Sequence, residues 1–354
     1  MSDRVVLDTL RAEVRPLSNA VRRIQPRSTT AISLVATDGG NTDLHFDPFL
    51  MQIVRVVDSS NNQYCLEAVT PTTSLADLSA GQFDEYGQPR TALGEMMAYL
   101  GISRLQDLSP MIRSSEDDRP ISPRWIKAYR ELVEWAILFH LLWKKDFGTD
   151  TLIISDGLLR SVVFAGDLFT KYLAGLAEGI ESQWRKNRRR LYLAGVAKHS
   201  KVLTRYRLAM MLEEVLTTDY PAYVEIPREL EEKSYLSPEY ARGADSVGGK
   251  MFFVKFGSGR RDPVWPVDIY LSQVAEAQQI LGFMLADAIN GFPVPFYPLC
   301  LQKAHESAAL FDFDLDVLQD YVYEGVRGSL ANEGAMLDTF RLQDADPAQK
   351  RYER

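Results

Sequence analysis

The chain has 354 residues and a mass of 40.0 kDa, with 46% hydrophobic and 25% charged residues. These ordinary globular values allow a sizeable core and exclude a wholly disordered or fibrous chain. The net charge of −8 and the pI of about 5.2 exclude general attraction to nucleic acid or to anionic membranes. A polyanion would therefore have to bind through a local basic patch or through metal ions.

Cysteine content and apolar segments restrict the cellular setting. Cys65 and Cys300 are too few for a disulfide framework or a structural zinc site. The start of the chain, MSDRVVLDTLRAEVR, carries charges where a signal peptide needs an apolar run, and acidic residues interrupt the longest apolar stretches. The sequence predicts a soluble, cytoplasmic protein that does not associate with a membrane.

The first third of the chain predicts an antiparallel meander. After an initial helical segment come three strand-like runs, AISLVATDGG, MQIVRVVD and NQYCLEAVT, and the DSSNN between the last two is typical of a turn. The first strand is expected to end at Asp38-Gly39-Gly40.

Helices and strands alternate through the middle of the chain. The clearest helix is RWIKAYRELVEWAILFHLLWKK, whose apolar residues recur at helical spacing. The continuous apolar run TLIIS follows, which is typical of a strand buried on both faces, and it ends in Asp156-Gly157. Next come a helix in DLFTKYLAGLAEGIESQWRKN, a strand in RRRLYLAGVAKHSK and a helix in TRYRLAMMLEEVL.

The last third is less regular. Residues 217–263 read as irregular apart from a strand-like MFFVKFG, and then follow a strand in WPVDIYLS, a long helix in SQVAEAQQILGFMLADAIN and a short helix in CLQKAHESAALF. The alternation predicts an α/β fold with a mixed sheet, in which antiparallel opening strands precede parallel strands and helices cover both faces. We expect one domain over residues 1–339, with an irregular insertion at about 225–262, and a polar tail at 340–354.

Two apolar runs, SLVATDGG and TLIISDGLL, end in Asp-Gly. A strand end holds a carboxylate at the edge of a sheet, and the glycine lets the backbone turn sharply. If the strands are neighbours, Asp38 and Asp156 converge, and two carboxylates held together require a proton or a cation between them. Mg²⁺ or Mn²⁺ would suit such oxygen ligands. Asp-Gly is also a frequent turn sequence, so the motif alone leaves both interpretations open.

Further candidate residues lie on the helices and after the next strand. Glu134 and Glu131, on the long helix before the second Asp-Gly strand, are alternative third acids, and both could equally be solvated helix charges. Two basic segments could contact phosphates: a run at a helix end beside Trp184, which could equally be a solvated helix end, and GVAKHSK after a strand. Their candidate cations are Arg185, Lys186, Arg188, Arg189, Arg190, Lys198 and Lys201.

Several other chemistries are disfavoured. The four histidines lack the HExxH spacing of zinc proteases, and no GxSxG motif is present. GADSVGGK lacks the glycine spacing of a phosphate-binding loop, and Met251 replaces the Ser or Thr that holds magnesium there. ATP hydrolysis by this chain is therefore not expected.

Four segments occur in a recognisable order between residues 31 and 309: SLVATDGG, LIISDGLL, LAGVAKHSK and FYPLCLQKAHESA. On these segments the sequence resembles the NurA nucleases. The resemblance implies a ribonuclease H-like fold and manganese-dependent DNA nuclease activity. It also implies a partner, the hexameric ATPase and translocase HerA, and a role in DNA end resection.

The resemblance assigns a site residue by residue. The implied catalytic residues are Asp38, Glu134, Asp156, Lys198 and His305. The first three of them would be metal ligands, with Glu131 as the rival of Glu134. Asp268, in the divergent segment VWPVDIY, matches an acidic strand position and is a further candidate ligand.

The predicted function is therefore that of a metal-dependent DNA nuclease using Mn²⁺ or Mg²⁺. We expect an exonuclease, with endonuclease activity as an open addition, that acts as a homodimer with a HerA-like ATPase in DNA end processing, repair or defence. The first alternative is an inactive nuclease-like subunit that binds DNA or docks a motor. The second is a different hydrolase with paired carboxylates, for instance one acting on a sugar. Cleavage polarity and strand preference stay open.

Overall fold

The computed structural model describes residues 3–27, 32–46, 49–70, 73–115, 120–122, 125–234 and 243–308, together with residues 317, 320, 321, 324, 325, 327 and 328. The tail expected at 340–354 lies outside the described residues. The described helices are α1 (Asp3–Val14), α2 (Leu75–Ala80), α3 (Ala92–Leu100), α4 (Leu105–Leu108), α5 (Trp125–Lys144), α6 (Leu168–Asn187), α7 (Lys201–Leu212), α8 (Arg228–Glu232), α9 (Ala277–Ala288) and α10 (Leu299–Ala308). The described strands are β1 (Arg22–Arg23), β2 (Ile32–Phe46), β3 (Phe49–Asp58), β4 (Gln63–Val69), β5 (Asp150–Asp156), β6 (Leu191–Val196), β7 (Ala222–Glu225), β8 (Gly249–Lys255) and β9 (Val264–Tyr270).

The described strands form one sheet in the order β1-β7-β8-β9-β6-β5-β2-β3-β4. Strands β2, β3 and β4 are an antiparallel meander, β5 is parallel to β2, and β6 is parallel to β5. Strand β9 pairs antiparallel with β6, and β8, β7 and β1 continue the sheet antiparallel beyond it. The structure confirms the predicted mixed α/β sheet, in which antiparallel opening strands precede parallel strands.

The burial of β5 explains why its sequence is apolar at successive positions. Ile153 packs in the cluster that contains α5 and α6, whereas Leu152 and Ile154 pack in the cluster that contains α9 and α10. All three side chains are fully buried. A strand covered by helices on both faces has no solvent side, so the alternation of polar and apolar residues disappears.

Helix α5 packs together with α6 on one face of the sheet. Its apolar side buries Trp125 and Tyr129 completely, together with the aliphatic residues that follow at helical spacing. Polar residues remain on the rest of its surface. No helix in the described part of the chain is long and apolar enough to span a membrane.

The structure corrects two details of the expected elements. Strand β2 does not end at the Asp-Gly-Gly sequence but continues to Phe46, because Gly39 and Gly40 pair with Val56 and Arg55 of β3. Antiparallel pairing with β3 supplies the backbone hydrogen bonds that this stretch needs. Strands β1 and β7, which escape the sequence analysis, have only two and four residues and are too short to show a period of two.

Candidate active site

Parallel pairing of β2 and β5 places the two Asp-Gly sequences at one edge of the sheet. Thr37 of β2 pairs with Ser155 of β5, so Asp38 and Asp156 are the next residues along two neighbouring strands. Strand β6 runs parallel to β5 and brings Lys198 to the same edge, two residues beyond its end. For Asp38 this placement concerns the backbone, since its side chain lies outside what the structure describes.

The Asp156 carboxylate is held by two donors. The hydroxyl of Tyr297 donates to Oδ1 at 3.0 Å, and Lys198 Nζ donates to Oδ2 at 3.2 Å. Tyr297 is itself buried, its ring meets that of Trp265 edge-on at 4.9 Å between centroids, and its carbonyl accepts a hydrogen bond from the Gln302 side chain. A buried tyrosine and a partly exposed lysine therefore orient Asp156 together.

The turn after Asp156 folds back closely against β6. Gly157 has φ 130° and donates its N–H to the carbonyl of Val196 at 2.7 Å. A Cβ atom at Gly195 would lie 2.3 Å from the Gly157 carbonyl oxygen, which is closer than real contacts allow. Glycine at both positions therefore permits the close approach that places this turn beside the acid.

A cavity of about 390 Å³ lies beside Asp156. It is bounded by helix α5 on one side and by the segments that follow β5 and β6 on the other. Acidic and basic side chains both line the cavity. An anionic ligand can therefore bind there only where a positive charge, from a basic side chain or a metal ion, balances the negative charge of the carboxylates. The ionisable residues that line it are Lys127, Arg130, Glu131, Glu134, Asp156, Arg160 and His199.

Both candidate glutamates of α5 line this cavity. Glu134 Oε1 lies 3.2 Å from Arg130 Nε. Glu131 Oε1 accepts hydrogen bonds from Ser161 Oγ at 2.6 Å and from Trp135 Nε1 at 3.4 Å. Two neutral donors thus bind Glu131, whereas Glu134 forms an ion pair with the partly exposed Arg130.

The other candidates lie at different distances from this cavity. Lys201 is the exposed first residue of α7, whose N-terminus is capped by the hydroxyl of Ser200. His305 is exposed on α10, a helix that packs against β2, and it is not among the described residues that line the cavity. His199, which the sequence analysis did not select, does line it.

Asp268 belongs to a buried ion-pair network. Arg160 donates to its two carboxylate oxygens at 2.6 and 2.7 Å and also donates to Glu231, which accepts a further bond from Arg228 at 2.8 Å. Asp268 and Arg160 are 0% and 4% exposed. Burial alone would lower the pKa of Arg160, but its bonds to Asp268 and Glu231 outweigh burial and raise that pKa. These contacts favour a structural role for Asp268, so the site proposed below does not include it.

The basic run beside Trp184 lies at the opposite edge of the sheet. It precedes β6, whereas Lys198 and the cavity follow the end of that strand, and six residues of strand span roughly 20 Å. Arg185 pairs with Glu181, and the guanidinium carbons of Arg188 and Arg190 lie 5.6 and 5.7 Å from the Trp184 ring centroid. Any phosphate contact made by this run is therefore remote from Asp156.

Comparison with solved structures yields several similar folds. The structure is similar to the crystal structure of the NurA nuclease from Sulfolobus solfataricus, with 13% sequence identity, coverage of 92% of this chain and 93% of that chain, and a TM-score of 0.45. It is also similar to NurA with manganese, at 12% identity, 87% and 93% coverage and a TM-score of 0.40. For NurA bound to dAMP and manganese the values are 12% identity, 87% and 92% coverage and 0.36.

The chain is similar in structure to these NurA nucleases over 87% to 92% of its length. No protein-family model matches the sequence, and no curated protein matches it. At these identities the similarity concerns the overall fold, and the chemistry of the site has to be argued from its own residues.

The donor set at the sheet edge fits a divalent cation. Glu134 and Asp156 present carboxylate oxygens to one cavity, and the backbone brings Asp38 beside Asp156. Hard cations such as Mn²⁺ and Mg²⁺ take oxygen ligands of this type. Among the side chains that the structure describes, no group of three or more Asp, Glu, His or Cys is placed to hold a metal ion.

Sequence analysis missed part of this site. Only the three-dimensional structure shows that the cavity is lined by Lys127 and Arg130 of α5 and by Arg160 after β5. It also reveals the hydrogen bond from Tyr297 to Asp156. One signal was present in the sequence, because the spacing of Lys127, Arg130 and Glu134 places three charges on one face of a largely apolar helix.

Proposed function

We propose that this protein is a DNA nuclease that hydrolyses phosphodiesters with Mn²⁺ or Mg²⁺. The observation that carries the proposal is the adjacency of the backbone at Asp38 and Asp156, at the ends of the paired segments of β2 and β5, beside a cavity that Asp156 and Glu134 line. Carboxylates on adjacent rigid strands and on a facing helix are a suitable frame for a catalytic cation.

Asp38, Glu134 and Asp156 would hold the cation, which when bound activates water and stabilises negative charge at the reacting phosphate. The Tyr297 hydroxyl fixes the orientation of the Asp156 carboxylate, as an outer hydrogen bond does for a metal ligand. The Lys198 ammonium, 3.2 Å from Asp156, lies where it can offset charge that develops on the phosphate. In this proposal His305 positions a phosphate or relays a proton.

Cleavage of DNA is tested directly with labelled single-stranded and duplex substrates. We expect purified protein to cleave in the presence of Mn²⁺ and to lose that activity in excess chelator, and Asp38→Ala to be inactive under both conditions. The same gels give polarity and strand preference. DNA binding without cleavage would instead support the inactive-subunit alternative.

The proposed partners are DNA, a second copy of the chain and a HerA-type hexameric ATPase, in DNA end processing, repair or defence. Helix α1 offers apolar surface for assembly, since Val5 and Val6 are 48% and 44% exposed, whereas Leu10 packs against the core. We expect light scattering at micromolar concentration to give the mass of a dimer. Val5→Glu is expected to weaken either dimer formation or co-purification with the ATPase. Wild-type protein that is monomeric and retains no ATPase would contradict this proposal.

The basic run Arg185–Arg190 and Lys201 are proposed to contact the DNA backbone. If Arg188 and Arg189 each contact a phosphate, replacing either by alanine should reduce the slope of log affinity against log salt by ~0.7 to 0.9. Binding is measured over a salt series in Ca²⁺, so that cleavage does not interfere. Because the run lies at the far edge of the sheet, cleavage at saturating DNA should change little. A slope equal to that of the wild type would limit the DNA path to the side of Lys198 and Lys201.

A further inference from the structure

We propose that Arg130 is a DNA-phosphate-binding residue that competes with the divalent cation for Glu134, and that Lys127 extends the same phosphate-binding surface. The inference rests on the proposed function, because it names the groups that receive the substrate at that site. It adds a second role to helix α5, which would supply both a ligand for the cation and the contacts for DNA.

The positions of these residues follow from helix geometry. Lys127, Arg130 and Glu134 are spaced by three and four residues, which aligns them on one face of α5, and all three line the cavity beside Asp156. Lys127 is exposed. The α5 wall of the cavity therefore presents two cations, Lys127 and Arg130, beside two acids, Glu131 and Glu134.

The pairing of Arg130 with Glu134 is suited to exchange. Arg130 Nε lies 3.2 Å from Glu134 Oε1, and the two side chains are 32% and 26% exposed. Ion pairs that remain partly in water are weak, because solvent screens the charges and both side chains lose rotamer freedom. A cation at Glu134 would face a guanidinium of the same sign at close range, so the two positive groups disfavour each other.

Substrate binding removes this conflict. When a cation holds the Glu134 carboxylate, a DNA phosphate that enters the cavity offers the Arg130 guanidinium two oxygens that match its planar donor. Cation and DNA binding would then support each other, because each removes the competitor of the other. Lys127, one helical turn away, lies where it can contact the next phosphate along the strand.

Two binding measurements on full-length protein test the inference without relying on activity. Mn²⁺ affinity is measured in the absence of DNA, from the electron paramagnetic resonance signal of the free ion. DNA binding is measured in Ca²⁺ over a salt series. Arg130→Gln should bind Mn²⁺ about threefold or more tighter, because a competing charge is lost. It should also bind DNA more weakly, with a salt slope reduced by ~0.7 to 0.9.

Companion variants separate the two roles. Lys127→Gln should reduce the salt slope to a similar extent and leave Mn²⁺ affinity nearly unchanged. Arg130→Lys should keep the wild-type slope because the charge is retained. Arg104→Gln is the matched control, since Arg104 forms an exposed pair with Asp107 away from the cavity wall, and it should change neither quantity.

Unchanged or weaker Mn²⁺ binding by Arg130→Gln would overturn the competition, and a wild-type salt slope in that variant would overturn the phosphate contact. Failure of the proposed nuclease activity is a separate result. It would show as wild-type protein that binds Mn²⁺ and DNA yet cleaves nothing, and the binding differences among the variants would still decide this inference.

Discussion

Asp38→Asn and Asp156→Asn should each abolish DNA cleavage while the protein stays folded. Each substitution removes one negative charge from the proposed cation site, and we expect activity to fall by at least ~10³-fold, or roughly 4 kcal/mol of transition-state stabilisation. The fold should persist in Asp156→Asn because the amide oxygen can still accept the hydrogen bond of the Tyr297 hydroxyl. Single-turnover cleavage of labelled DNA at saturating Mn²⁺ measures the effect.

The control for this pair is Asp167→Asn, which changes an exposed acid before α6 that pairs only at the surface with Lys171. It should cleave like the wild type. Circular dichroism spectra and thermal melting must show that all three variants are folded. Cleavage at the wild-type rate by either Asp38→Asn or Asp156→Asn would remove that residue from the site, and with it the two-strand arrangement that the proposed function requires.

Asp268→Asn should destabilise the protein strongly. The substitution leaves Arg160, which is only 4% exposed, with one fewer counter-charge, and breaking a buried ion pair typically costs about 3–5 kcal/mol. Because Glu231 remains as a second partner of Arg160, we expect the lower end, about 3 kcal/mol. Equilibrium unfolding in urea measures the loss.

Asp107→Asn is the comparison for that experiment, since its pair with Arg104 is exposed to solvent and its loss should change the free energy of unfolding little. The same two variants also resolve the role of Asp268. If Asp268 is structural, Asp268→Asn should lower the free energy of unfolding and leave the Mn²⁺ affinity of the folded protein unchanged. A variant that keeps its stability and loses Mn²⁺ affinity would instead make Asp268 a ligand.

The elements of this protein that the sequence determines are those whose signal is local. The apolar run TLIIS predicts a strand buried on both faces, and the structure places Leu152, Ile153 and Ile154 between helices on either side. The 3.6-residue period of α5 likewise follows from sequence alone. The sequence analysis could place Asp38 near Asp156 because neighbouring parallel strands end at the same edge of a sheet. The only assumption it needed was that the two strands are neighbours, and β2 and β5 are.

Tertiary structure decided which partner each charged group finds. The sequence makes Asp268 one more acid in an apolar strand, and only the fold places Arg160, more than one hundred positions away, against both of its oxygens. The arginines before β6 and Lys198 after it are near in sequence. They nevertheless lie at opposite edges of the sheet, because the length of strand β6 separates them. Local periodicity specifies the direction and burial of a segment, whereas the partner of a charge depends on segments that approach only when the chain has folded.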